Sequence, residues 1–106
     1  MDQRDEELTE EELTEAVASA LREMGLSAVS QDTGGGICCV VLSRENGGEI
    51  IWGTADSTWG ASITDANDQV VSAISTTCPS GTQDVSQIAK AMRQPSIDAG
   101  AATSTI

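Results

Sequence analysis

Between Gly34 and Thr64 the chain reads GGGICCVVLSRENGGEIIWGTADSTWGASIT. β-Branched aliphatics, both tryptophans and two of the three cysteines lie there between glycines and turn formers. Glycine and β-branched residues disfavour a helix, while β-branched and aromatic residues suit a pleated surface. Asn46-Gly47, flanked by apolar runs, is a strong hairpin signal. The stretch therefore commits the chain to an antiparallel sheet, and the remaining residues must cap it.

The pattern around this centre sets the order of elements. Thr9 and Glu12 form a Thr-x-x-Glu capping box with Leu8 and Leu13 at the staple positions. Leu13, Ala16, Val17, Ala20, Leu21 and Met24 recur at helical spacing, so a helix is expected over about Glu10 to Met24. Gly25 suits a left-handed ending with Leu26 folding back on Leu21. Strands are expected at Leu26–Gln31, Gly36–Ser43, Glu49–Ala55, the run reaching Ile63, and Gln69–Thr76. A two-residue turn at Asn46-Gly47 sets Arg44 opposite Glu49; a five-residue loop would shift that register by one and swap faces.

A two-residue turn at Asp56-Ser57 sets Trp52 opposite Ala61, Trp59 opposite Thr54 and Gly53 opposite Gly60. Both indoles then share one face with Ile50 and Ile63. The other face carries Ile51, Gly53, Gly60 and Ser62. Cys78-Pro79-Ser80-Gly81 ends the sheet. Val85, Ile88, Ala89 and Met92 mark a second helix from Gln83 or Asp84 to Arg93, with Pro95 as its stop. The expected fold is α+β: an N-terminal helix, a four- or five-stranded antiparallel meander and a C-terminal helix. The expected division is a flexible acidic N-terminus over residues 1–8, a single domain over 9–94 and a flexible tail over 95–106. Helices on one face only would leave Val or Leu of the central strands exposed on the other, and so predict a dimer through the sheet face.

Charge narrows the partners. The 106 residues hold 17 acidic and 5 basic side chains and no histidine, a net charge of −12. Phosphate repels such a chain, which excludes nucleic acid as a direct partner and disfavours anionic membranes. It favours a basic protein surface. Met1–Asp5 has no basic leader pattern, no apolar run reaches membrane length, and the cysteine count is odd. A cytoplasmic protein with free thiols is expected.

No catalytic signature stands out. Cys38 and Cys39 point to opposite faces of a strand and, with Cys78 and no histidine, fall short of a zinc site. Asp65-x-Asn67-x-Gln69 begins like a calcium loop but has Val70 and Thr76 where glycine and glutamate belong, so a hairpin turn suffices. Gly34-Gly35-Gly36 leads into a strand and makes no phosphate cradle. No metal, cofactor or enzymatic activity is expected; a small enzyme using the cysteines or carboxylates is the least favoured class.

Eight of the first fifteen residues are Asp or Glu. Two or three suit the dipole of a first helical turn. The rest repel one another. Glu7, Glu11 and Glu15 would form a row spaced about 6 Å apart on one extended helix, against about 3.4 Å per phosphate step along a DNA strand. The solvated start of a helix is the plain alternative. The partner-binding candidates are Glu7, Glu10, Glu11 and Glu15, with Asp56 and Trp59 beside the glycine pair. With so few aromatics in the chain, core packing is the favoured use of both indoles.

At Gly34–Ile37, and at Trp52-Gly53-Thr54-Ala55-Asp56 with Trp59-Gly60-Ala61, the chain resembles small proteins of actinobacterial phages and mobile elements. In size and charge it is similar to the anti-CRISPR inhibitors that such elements carry, several of which mimic nucleic acid. Those inhibitors share no fold, so the resemblance implies a role and transfers no residues. It implies a non-enzymatic inhibitor, monomeric or homodimeric, that binds a basic nucleic-acid-handling complex such as a CRISPR effector in the host cytoplasm. The alternative is a dimeric adaptor or assembly protein that interacts through its sheet face.

Overall fold

The computed structural model describes residues 10–32, 38–54, 58–79 and 81–103, with the side chains of Glu10 and Asp32 excepted. The order is α1 (Glu10–Glu23), β1 (Ala28–Asp32), β2 (Cys38–Ser43), β3 (Glu49–Gly53), β4 (Thr58–Thr64), β5 (Val70–Pro79) and α2 (Val85–Asp98). The five strands pair antiparallel in chain order, so the expected α+β meander with a helix at each end is the fold. The Thr9 cap, the glycine turn at 34–36 and the Asp56-Ser57 turn lie outside the described residues.

α1 ends as its sequence dictates. Gly25 adopts φ +95°, the Gly25 amide donates to Arg22 O and the Leu26 amide to Leu21 O, each at 3.0 Å. These are the two hydrogen bonds of a Schellman ending. Its apolar stripe, Leu13, Val17 and Leu21, packs onto alternate residues of the sheet: Ala28, Val40, Leu42, Ile50, Trp52, Trp59, Ala61 and Ile63. Ile88, Ala89 and Met92 of α2 join the same cluster, so both helices lie on one face. Each aliphatic side chain fully buried there contributes roughly 1.5–3 kcal/mol.

The β3–β4 register matches expectation, with Ile50 opposite Ile63, Trp52 opposite Ala61 and Gly53 opposite Gly60. The β2–β3 register is the five-residue alternative. Ser43, not Arg44, faces Glu49, and a five-residue connection carries the Asn46-Gly47 turn. Two contacts distant in sequence explain the shift. A Cβ on Gly48 would lie 2.0 Å from Thr64 O, so the loop tucks against the end of β4 at a residue without a side chain. Arg44 is drawn out of the pair: its Nε donates to Ala99 O at 2.8 Å and its Nη1 to Thr64 O at 2.7 Å.

The C-terminal boundary is also corrected. α2 runs through Pro95 to Asp98, and Ser96 is fully buried. Pro95 removes one amide donor, but the next residue anchors the helix: Trp52 Nε1 donates to Ser96 Oγ at 2.9 Å. Residues 99–103 then pair with the sheet. Arg44 bridges Ala101 and Leu26 bridges Thr103, the Ala102 amide donates to Ser43 O, and the Ser27 amide donates to Ala102 O. This segment is wedged between the diverging ends of β1 and β2, so a flexible tail from residue 95 is not what the fold contains. β5 likewise continues past Thr76 to Pro79.

Candidate interaction surface

α1 has two unlike sides. Leu13, Val17 and Leu21 are buried, whereas Glu11, Glu12, Glu15 and Glu23 are exposed. Helical periodicity sets Glu11 and Glu15 one turn apart on the outer flank. Glu15 is partly engaged: Ser30 Oγ donates to its Oε1 at 2.5 Å, and Arg22 Nη2 lies 3.6 Å from its Oε2. Glu7 and Asp56 lie outside the described residues, as does the side chain of Glu10. The structure thus places Glu11 and Glu15 together on one exposed flank.

Trp59 is corrected as a contact residue. It is 1% exposed and belongs to the core beside Trp52. Its Nε1 finds no hydrogen-bond partner among the described residues. Gly53 and Gly60 face the other way, and a Cβ at Gly53 would meet nothing within 4 Å. The indoles and the glycine pair are therefore on opposite faces and make no shared groove.

Two of the described arginines, Arg22 and Arg44, donate to backbone carbonyls. Arg22 Nη1 donates to Ala28 O at 2.7 Å, tying the end of α1 to the first residue of β1. Arg44 joins Thr64 to Ala99 in the same way. Lys90 and Arg93 are exposed on α2. Among the described residues Arg22 is the cation nearest in sequence to this flank; it bonds to Ala28 O and also approaches Glu15, so one charge of the flank is partly offset.

The remaining candidates have local explanations. Asp65 Oδ1 accepts from the amides of Asn67 and Gln69, so this carboxylate closes the β4–β5 turn. Cys38, Cys39 and Cys78 are buried free thiols. Burial raises the Cys39 pKa, and the charges of Cys38 and Glu49 raise it further, which makes a poor nucleophile at neutral pH. Among the described residues no three metal-binding side chains converge, and no helix is long and apolar enough to cross a membrane.

One surface feature carries no motif in the sequence. An open cleft of about 590 Å³ lies between β5 and the end of α2, walled by Ile63, Val71, Ile74, Pro95 and Ala99. Arg44 and Asp98 contribute one charge of each sign to it. The side chains come from β4, β5, α2, the β2–β3 connection and the residue after α2, so only the folded chain assembles it.

Comparison of the chain with protein-family models, with curated proteins and with solved structures found no match in any of the three.

Proposed function

We propose that this chain is a non-enzymatic, acidic inhibitor that docks on the basic surface of a nucleic-acid-handling protein, a CRISPR effector being the example its resemblance implies. The exposed flank of α1 makes the contact and stands in for a phosphate chain. The observation that carries this reading is the arrangement of α1: Glu11, Glu12 and Glu15 exposed over a buried apolar stripe, with Arg22 bonded to Ala28 O. A rigid helix holds such carboxylates at a fixed spacing, which a solvated tail would not. Opposite charge steers encounter and selects basic surfaces over acidic ones.

A tagged chain used to capture host proteins at low and at high salt tests this reading. Capture should fall steeply as salt rises, and the Glu7→Lys, Glu11→Lys, Glu15→Lys triple variant should capture nothing. Equal capture by that variant eliminates the mimic. The sheet-face dimer is the second reading: the outward side carries Val29, Val41 and Ile51 on β1 to β3, of which Val29 is 51% exposed, while Gly53, Gly60, Ser62, Ala73 and Ser75 give the rest of that face little apolar bulk.

A further inference from the structure

β5 is an edge strand of ten residues, VVSAISTTCP. Val70 is 65% and Val71 57% exposed. None of the chain's 22 charged side chains lies in it. Natural edge strands are commonly blunted by lysine, proline, shortness or a covering element, and one that lacks these offers a row of backbone donors and acceptors to another strand. Pro79 stands only at the last position of β5.

We propose that β5 pairs antiparallel with β5 of a second copy of this chain, joining the two five-stranded sheets into one of ten strands. Three observations select a second copy over a foreign strand. β5 is uncharged and the adjoining cleft holds one Arg and one Asp, so nothing at this edge attracts a basic or an acidic peptide. A strand related to itself by a two-fold axis is self-complementary by symmetry. The cleft, finally, fits what β5 itself carries. Ser72 and Ile74 lie opposite Ile63 and Ala61, on the helix-covered face, and directly opposed residues of an antiparallel pair share a face. A two-fold axis through Ala73 sets Ser72 of each copy opposite Ile74 of the other. Each Ile74 then lies beside the cleft of its neighbour, against Val71 and Pro95.

The charge of −12 does not forbid this arrangement. α1 packs over β1 and β2, at the far edge. With strands about 4.8 Å apart, the two acidic flanks stand on the order of 40 Å apart in the joined sheet. That is several times the screening length of about 8 Å at physiological salt. The residual repulsion is screened by salt, so association strengthens as salt rises. The α1 contact behaves oppositely, and the two proposals stand or fall separately.

Sedimentation equilibrium of the full chain at low and high salt is the test, with Ala73→Glu and Ala73→Thr alongside. The wild type should dimerise in the micromolar range and more tightly at high salt. Ala73→Glu sets two carboxylates opposite each other on the axis and should weaken the dimer about fivefold or more. The neutral, β-branched Ala73→Thr should retain it. A single-chain mass at every concentration, or an undiminished Ala73→Glu dimer, overturns the proposal. Hydrogen exchange on the wild type removes dependence on the variants: β5 amides should slow as concentration rises, and exchange independent of concentration also overturns it.

Discussion

β1 and β5 are the two edges of one sheet, and they are finished in different ways. β1 has five residues and lies under α1. Ser30 bonds to Glu15, Arg22 bonds to Ala28 O, and residues 101–103 fill the gap where β1 and β2 diverge. β5 has ten residues, no charge, and its two most exposed valines at its start. The contrast shows where this chain spends its polar side chains: they close one edge and leave the other with free backbone.

Matched truncations on the two sides should differ most. Leu21 is fully buried between α1 and the sheet, whereas Ile74 is half-buried at the open cleft. Leu21→Ala should cost about 3 kcal/mol through lost burial and the cavity left behind. Ile74→Ala should cost about 1 kcal/mol or less, because water already reaches the site. Urea unfolding at concentrations where the chain is monomeric measures both. Equal losses would mean that the β5 side is as closed as the β1 side.

Arg44 stands between the two regions, and its removal should have an intermediate effect. Its guanidinium joins the end of β4 to the residue that follows α2, and it also lines the cleft. Arg44→Met keeps most of the apolar stem and abolishes both bonds, at a cost of about 2 kcal/mol. Lysine cannot replace a planar fork that reaches two carbonyls at once, so Arg44→Lys should recover little. Thermal unfolding separates the two variants. An unshifted midpoint in Arg44→Met would show that the tail is held by its backbone bridges alone.

What could be read from the chain was local. The Gly25 ending depends on residues within one turn, and the pairing of Trp52 with Ala61 follows from strand alternation across a short connection. The misread elements were decided at long range. Arg44 leaves its strand for Ala99, 55 positions away, and Trp52 reaches Ser96. No periodicity announces either bond. Pro95 is a sound stop signal in isolation, overridden because Ser96 is anchored in the core and residues 101–103 have a place to pair. Of the candidate surface, the charge and spacing of Glu11 and Glu15 were legible. The core use of Trp59 was legible as well, from its alternation with Ile63 and the scarcity of aromatics; only its place among the contact residues failed.

The smallest expected effect concerns Cys39, which shares the outward side of β2 with Val41. Both are 5% exposed, in contrast to the open positions of β5. Burial is the main cause of the raised Cys39 pKa, followed by the charges of Cys38 and Glu49. The fold thus favours the neutral thiol. Its contribution to stability is fully present below the unfolded thiol pKa of about 8.5 and is lost as pH rises through the higher folded value. Alkylation by iodoacetamide, mapped by mass spectrometry against pH, should therefore rise later for Cys39 in the folded chain than in urea. At concentrations where the chain is monomeric, an Ala73→Cys thiol on the open edge supplies the reference and should titrate in the ordinary range. Glu49→Gln should move Cys39 part of the way toward it, since it removes the least of the three causes. A Cys39 profile that coincides with the Ala73→Cys profile would show that the outward side of β2 is as accessible as β5, against the burial of Cys39 and Val41.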